Sequence, residues 1–159
     1  MTSEPRYVEF RPDHAGEVVA AMEAAGGTGA GWVNFEPAVE AEDIAAAGSG
    51  TCALFSGRGP VVPLATWTPA KTQRRGRREP AMIGLQHPAG TRAKSLLAEL
   101  GHPVPDGWVV VQDHVRKGLV VSLPGDVPAA EALAWVLKAA RLLSTVPLTG
   151  QWRAAVYAD

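Results

Sequence analysis

Between Trp108 and Pro124 the sequence WVVVQDHVRKGLVVSLP sets two runs of β-branched residues on either side of a short polar segment. Arg116-Lys117-Gly118 has the length and the final glycine that a three-residue hairpin loop needs. Because side chains alternate between the two faces of a strand, pairing Val115 with Leu119 predicts one apolar, buried face. That face would hold Val109, Val111, Val115, Leu119, Val121 and Leu123. The opposite face would hold Trp108, Val110, Gln112, His114, Val120 and Ser122, a mixture that indicates either an interface or a site.

The elements around this hairpin predict a closed unit. The apolar spacing favours a strand at 82–87, a helix at 91–100, a helix at 127–145 and a strand at 151–158. Together with the hairpin they give the order βαββαβ, which is that of a ferredoxin-like unit over residues 81–159. Many unrelated functions share this order, so it predicts a fold and no activity.

The first part of the chain predicts a second α/β half over residues 6–68. Its expected elements are a strand at 7–11, a helix at 14–25, a strand at 32–36, a helical segment at 37–47 and a hairpin with strands at 51–56 and 61–68. The fold class is therefore α+β, with an N-terminal βαβ(α)ββ half packed against the ferredoxin-like unit. Residues 69–80 would form a basic linker between the halves of a single compact domain that spans 1–159.

The predicted helix at 127–145 is apolar on most of its circumference. Glu131, Lys138 and Arg141 form its only polar stripe, and Trp135 and Leu142 fall close beside that stripe. A helix of this kind needs a second apolar neighbour besides its own sheet. Trp135 and Leu142 are therefore interface candidates, with the N-terminal half or another subunit as the neighbour.

Two stretches of the sequence resemble each other weakly, at 7–16 and 82–90. Each places a strand before a histidine and an Ala-Gly pair, and each is followed by a helix and then a Gly-Trp strand start. A duplication would account for the likeness, although the common succession of strand, helix and strand would also produce it. Two duplicated halves could pack sheet to sheet and enclose a ligand.

Composition narrows the class of protein. The chain has 159 residues, 47% of them hydrophobic, which suits one substantial globular core. Its net charge of −1 provides no overall field for nucleic acid or acidic lipid. No apolar run reaches the roughly 20 residues that cross a bilayer, and MTSEPRYVEF lacks the features of a signal peptide. We expect a cytoplasmic protein without a membrane partner, in which the single cysteine, Cys52, packs in the core.

The segment PAKTQRRGRREP at 69–80 interrupts the apolar pattern with a run of positive charge. Its cations are Lys71, Arg74, Arg75, Arg77 and Arg78. Arg74, Arg75, Arg77 and Arg78 are candidates for contact with phosphate or with an acidic partner. The run contains no aromatic residue that could stack on a base, so nucleic acid is not the favoured partner.

The open face of the predicted ferredoxin-like sheet would gather polar side chains with an aromatic wall. The candidate ligand-binding residues are Gln86, Trp108, Gln112, His114, Ser122, Arg153 and Tyr157. Such a set suits a small polar or anionic ligand. The alternative is an ordinary solvated sheet face, or an interface in which each polar group finds a partner.

The sequence gives no specific signal for a metal, a cofactor or a phosphate loop. The four histidines have none of the spacings of a zinc site. The carboxylates Glu36, Glu40, Glu42 and Asp43 are more typical of a solvated helix face. The glycines at 26–31 follow a helix and precede a strand, which is the reverse of the order that a phosphate loop requires.

The favoured interpretation is a non-enzymatic binding module for a small molecule or a protein partner, over the open sheet face or in the cleft between the halves. The alternative is a cofactor-independent enzyme that uses His114 as acid or base with Tyr157 or Arg153. A nucleic-acid contact through residues 71–78 ranks third. A homodimer would be one way to cover the open face, and the sequence identifies neither the ligand nor the partner.

Overall fold

The computed structural model describes residues 4–48 and 59–158, which form four helices and nine strands. In chain order these are β1 (Arg6–Phe10), α1 (Gly16–Thr28), β2 (Trp32–Pro37), α2 (Ala41–Gly48), β3 (Leu64–Thr68), β4 (Lys71–Thr72), β5 (Arg78–Glu79), β6 (Met82–Gln86), α3 (Ala93–Glu99), β7 (Val109–His114), β8 (Gly118–Ser122), α4 (Ala129–Leu143) and β9 (Trp152–Tyr157). The strand predicted at 51–56 and the core position predicted for Cys52 lie outside the described residues.

Seven of the described strands form one antiparallel sheet with the order β1-β9-β2-β3-β6-β8-β7. The short strands β4 and β5 pair separately, between β3 and β6 in sequence. The α+β class predicted from the sequence is confirmed. The segment predicted as a linker, 69–80, contains this small hairpin.

The strand order departs from a ferredoxin-like unit at β9. Strands β6, β8 and β7 are neighbours as that fold requires, but β9 lies between β1 and β2, and β3 occupies the place beside β6. Trp152 and Ala154 of β9 pair with Phe10 and Phe35, so their side chains enter the core of the N-terminal strands. The N-terminal strands consequently extend the same sheet edge to edge, and the predicted packing of one half against the other, sheet to sheet, does not occur.

The core lies between one face of this sheet and helices α1, α3 and α4. Alternate strand residues point into it and are almost fully buried, among them Val33, Phe35, Ile83, Leu85, Leu119 and Val121. Helix α4 packs on β3 and β6 and has α1 on one side and α3 on the other. The chain itself thus supplies the additional neighbours that this apolar helix needs.

Trp135, predicted at an interface, is buried within the chain at 6% exposure. Its indole Nε1 donates a hydrogen bond to the carbonyl oxygen of Pro103 at 3.1 Å, and its ring stacks on His102 at 5.3 Å between centroids. Trp108 approaches it edge-on at 5.4 Å. Leu142 is half-buried against the same core. The loop that leads into β7 therefore covers Trp135, and no second subunit is needed for its burial.

The hairpin formed by β7 and β8 has a different register from the predicted one. Leu119 pairs with Asp113 and not with Val115, and a β-bulge falls between Val110 and Gln112. Because the bulge adds one residue to β7, it reverses the alternation on its far side. Leu119, Val121 and Leu123 are buried as predicted. Val109 and Val111, predicted in the core, are 58% and 55% exposed.

Asp113 explains why the hairpin takes this register. Its two carboxylate oxygens accept hydrogen bonds from the backbone N–H groups of Ala93 and Lys94, at 2.8 and 3.1 Å. These groups lie at the start of α3, where backbone donors have no partner within the helix and where negative charge is favoured. The carboxylate thus connects the end of β7 to the helix that covers the sheet.

None of the helices in the described part of the chain is both long and apolar enough to cross a membrane.

Candidate functional site

A groove of about 730 Å³ runs between α1, α4 and the segment that leads into β9. Its apolar lining includes Ala15, Val19, Leu133, Leu137, Val146 and Trp152. Ala130 and Ala134 also line it, and because their side chains are small they leave open space between the two helices. A volume of this size lies within the range of small-molecule sites.

The third wall of the groove is the connection from α4 to β9, residues 144–151. Two backbone hydrogen bonds hold this segment beside β2, one from Ala38 to the carbonyl oxygen of Gln151 at 2.8 Å and one from Thr149 to the carbonyl oxygen of Ala38 at 3.1 Å. They fix Leu148 and Thr149 at the groove. The shape of the groove is thus set by strand pairing that involves β9.

Three cations, Arg11, Lys138 and Arg141, lie on the groove, and no aspartate or glutamate of residues 4–48 and 59–158 lines it. Within the described residues, Lys138 and Arg141 form no ion pair. Arg11 has one carboxylate neighbour, Asp13, at 3.9 Å. The hydrogen bond from His14 is the main reason that the pKa of Asp13 lies below its usual value. The groove therefore combines an apolar floor with an excess of positive charge.

The open face of the sheet does carry most of the predicted ligand-binding residues, but they do not form one pocket. Gln86, Gln112, His114, Ser122, Arg153 and Tyr157 lie on this face. Three strand spacings separate β9 from β6, which is about 14 Å, so Arg153 and Tyr157 lie far from the rest. Trp108 is wrongly assigned to this set, because it is buried on the helix side at 8% exposure.

Arg153 is held by groups of its own chain. Its Nη2 lies 2.7 Å from a carboxylate oxygen of Glu36, and its guanidinium carbon lies 4.9 Å from the ring centroid of Tyr7. The hydrogen bond and the charge of Glu36 raise the pKa of Arg153 above its usual value. Glu36 of β2 is therefore the ion-pair partner of Arg153 on the neighbouring strand β9, and it does not belong to a carboxylate cluster.

His114 and Gln112 serve the hairpin loop. The Nδ1 atom of His114 accepts hydrogen bonds from the backbone N–H groups of Arg116 and Lys117, at 3.1 and 3.2 Å. The side-chain amide of Gln112 donates to the carbonyl oxygens of Lys117 and Gly118. His114 is exposed at the sheet edge, five strand spacings from Arg153 and Tyr157. His114 therefore shares no site with Arg153 or Tyr157, the residues predicted to act with it in acid–base catalysis.

No family model, curated protein or solved structure matches this chain. Its candidate sites therefore rest on geometry alone. Residues 4–48 and 59–158 bring together no group of three or more His, Cys, Asp or Glu side chains that could hold a metal ion.

His87 is a buried polar group that was not among the predicted site residues. It is 0% exposed, and among the described residues its Nε2 has no hydrogen-bond partner. Burial lowers the pKa of His87, while the nearby carboxylate of Asp113 opposes this shift. His87 does not line the groove between α1 and α4. Its neutral imidazole is thus part of the core.

Sequence reasoning also missed the groove itself. The polar stripe of α4 contains Lys138 and Arg141, and the small residue Ala134 lies beside them, so one wall was visible in the pattern. The other wall comes from α1, which no local pattern connects to α4. The remaining predicted set, Arg74, Arg75, Arg77 and Arg78, is exposed on the hairpin of β4 and β5.

Proposed function

We propose that this protein is a non-enzymatic binding module that takes a small anion with an apolar body into the groove between α1 and α4. The observation that carries the proposal is the combination in one groove of an apolar lining, three cations and no carboxylate. The sequence favoured a binding module over the open sheet face or in the cleft between the halves, and the proposed groove corresponds to the second of these locations. The chemical class of the ligand comes from the groove.

The apolar lining supplies the attraction for the body of the ligand. Removal of apolar surface from water contributes about 25 cal/mol per Å², so a hydrocarbon chain or ring system would gain free energy by entering the groove. The cations at the rim would pair with a carboxylate or a sulfonate while the apolar part contacts Leu133 and Leu137. Orientation of the ligand would thus follow from the position of Lys138 and Arg141.

The composition of the lining favours binding over catalysis. Among the described residues no His, Cys, Ser, Asp or Glu lines the groove, and of the usual acids, bases and nucleophiles of enzymes only Lys138 and Thr149 are present there. Thr149 supplies the one hydroxyl group, and its Oγ1 already accepts a hydrogen bond from the backbone of Gln151 at 3.2 Å.

The first test uses the fluorescent apolar anion 8-anilinonaphthalene-1-sulfonate, displaced by decanoate. Ala134→Phe should fill the groove and abolish displaceable binding. Ala98→Phe is the matched control, because Ala98 is an exposed alanine of another helix, α3. Equal binding by both variants would overturn the proposal.

The second test separates charge from apolar contact by comparison of decanoate with decanol. Neutralisation in Lys138→Gln/Arg141→Gln should weaken decanoate binding about tenfold, the loss of roughly one charge-assisted contact, and leave decanol unaffected. The double variant Arg92→Gln/Lys94→Gln removes the same charge elsewhere and should bind like the wild type. Loss of both ligands in parallel, or of neither, would contradict the assigned role of the cations.

A further inference from the structure

The segment 69–80, here called the basic arm, projects beyond the sheet as the hairpin of β4 and β5. Lys71 pairs with Glu79 and Thr72 with Arg78, and the backbone N–H of Gln73 donates to the carbonyl oxygen of Arg77 at 2.8 Å. Gly76 closes the turn with a φ of +74°, a conformation that favours glycine. The arm is thus an ordered hairpin that displays its side chains to solvent.

Four guanidinium groups of the arm carry unneutralised charge. The arm has five cations and one carboxylate, Glu79, which already contacts Lys71 at 3.4 Å and the side chain of Gln73. Within the described residues, no ion pair involves Arg74, Arg75, Arg77 or Arg78. The arm therefore carries +4, and the rest of the chain must carry −5 to give the net charge of −1. Positive charge is concentrated here in an otherwise acidic protein.

At the base of the arm the structure provides the aromatic residue that the basic sequence run lacks. A groove of about 500 Å³ is lined by Trp32, Thr68, Lys71 and Met82, among others. Trp32 stacks on Tyr157, with centroids 4.5 Å apart and an interplanar angle of 12°. Tyr157 does not line the groove, so the groove lies on the side of Trp32 that faces Thr68 and Met82. One face of the Trp32 ring is therefore held by Tyr157, and the other is accessible from the groove.

Glycine allows two backbone segments to approach closely at the wall of this groove. Gly29 and Gly31 form part of its wall, and a Cβ atom at Gly31 would collide with the carbonyl oxygen of Tyr157. The carbonyl groups at the end of α1 lie beside Lys71 and Arg78, across a second shallow groove. Since a helix C-terminus carries partial negative charge, we expect phosphate to contact the tip of the arm and not this flank.

We propose that the basic arm and Trp32 together bind single-stranded nucleic acid without sequence preference. Arg74, Arg75 and Arg77 contact phosphates through their guanidinium groups, and one base enters the groove beside Trp32 and Thr68. Cationic contact with the backbone combined with aromatic stacking is the usual chemistry of single-strand recognition. This site is independent of the groove between α1 and α4. An acidic protein surface would use the arm but would have no use for the groove.

Fluorescence anisotropy with labelled oligothymidylate and oligouridylate tests the arm. We expect binding that weakens with salt at about 0.7 logarithmic units of affinity per logarithmic unit of salt for each phosphate contacted. Replacement of Arg74, Arg75, Arg77 and Arg78 by Gln should lower the affinity at low salt at least about tenfold and flatten this slope. The matched control replaces Arg92, Lys94, Arg116 and Lys117 by Gln, and it should retain wild-type affinity. Absence of binding at low salt, or equal loss in both variants, would overturn the proposal.

Trp32 distinguishes nucleic acid from other polyanions. Trp32→Leu should weaken oligonucleotide binding about tenfold, whereas Trp32→Tyr should retain it, because stacking on one base contributes roughly this much. Far-UV circular dichroism and a thermal melt would establish that both variants fold. Polyglutamate serves as the second ligand. If Trp32→Leu leaves oligonucleotide affinity unchanged and polyglutamate binds as tightly, the arm recognises acidic chains in general and the proposal is wrong.

Discussion

The two faces of the seven-stranded sheet are built from alternate residues of the same strands, yet α1, α3 and α4, the helices that pack on the described strands, cover only one of them. One continuous row on the covered face consists of Val8, Ala154, Phe35, Ala65, Leu85, Leu119 and Asp113. The neighbouring row on the open face consists of Tyr7, Ala155, Asn34, Thr66, Gly84, Val120 and Gln112. Every residue of the first row except the last, Asp113, is apolar. In the second row the residues at the centre have small or polar side chains.

This difference indicates what each face contributes. The covered face gains its stability from apolar area removed from water, so its residues determine the register of every strand. The open face relies on local pairs such as the hydrogen bond from Thr66 to Asn34 at 2.8 Å and the stack of Trp32 on Tyr157. Such pairs contribute less, and they leave the face free to serve binding.

The largest expected effect compares one tryptophan from each side of the sheet. Trp135→Ala should lower the free energy of unfolding by about 3 to 5 kcal/mol, because it leaves a large cavity and an unpaired carbonyl oxygen at Pro103. Trp32→Ala should lower it by about 1 to 2 kcal/mol, since Trp32 is half-exposed and loses mainly its stacking contact. Urea denaturation measures both. Equal losses would mean that the open face is as important for stability as the covered one.

A smaller effect is expected at the end of the covered row. Asp113→Ala should destabilise the protein by about 1 to 3 kcal/mol, because two backbone N–H groups at the start of α3 lose their acceptor. Asp113→Asn keeps one acceptor oxygen and should cost about half as much. Chemical denaturation of both variants, with hydrogen exchange at Ala93 and Lys94, provides the measurement. Unchanged protection of these two amides in Asp113→Ala would contradict the role given to the carboxylate.

The smallest effect concerns pH and the buried His87. Its pKa in the folded protein is lowered by burial, and in the unfolded chain it has its ordinary value of about 6.5. The unfolded chain therefore takes up this proton first as pH falls. The contribution of His87 to stability is complete above that value and declines as pH falls towards the folded pKa. Unfolding free energies from pH 8 to pH 5, about the range in which histidine titrates, should fall less steeply in His87→Leu than in the wild type. An equal slope in the two proteins would show that His87 does not contribute to the pH dependence of stability.

Several elements could be predicted from the sequence because they depend on local periodicity. The apolar spacing identified β8, α4 and the strand at β9, and the buried face of β8 follows from simple alternation. The same reasoning failed at Val109 and Val111, since nothing in a run of valines indicates the bulge that reverses their faces. Trp108 was misplaced for the same reason, because its face was assigned by extending the alternation through the bulge.

The position of β9 and the groove depend on contacts between segments that are distant in sequence. Its composition identified β9 as a strand, but a preference for β1 and β2 over β6 arises only when Trp152 and Ala154 meet Phe10 and Phe35. The groove likewise needs α1 beside α4. His114 and Arg153 were recognised as polar groups on an open face, while their partners in the loop and on β2 were visible only in the structure.

The insertion of β9 between β1 and β2 also affects the order in which the chain can fold during its synthesis. Glu36 and its partner Arg153 are 117 positions apart, and among the described strands β1 is hydrogen-bonded only to β9. At about 5 to 20 residues per second, the ribosome needs roughly 6 to 25 s to make the intervening chain. Strands β6, β8 and β7 with α3 are close in sequence and can associate earlier. Strand β1 therefore gains its partner in the sheet only after β9 has been synthesised.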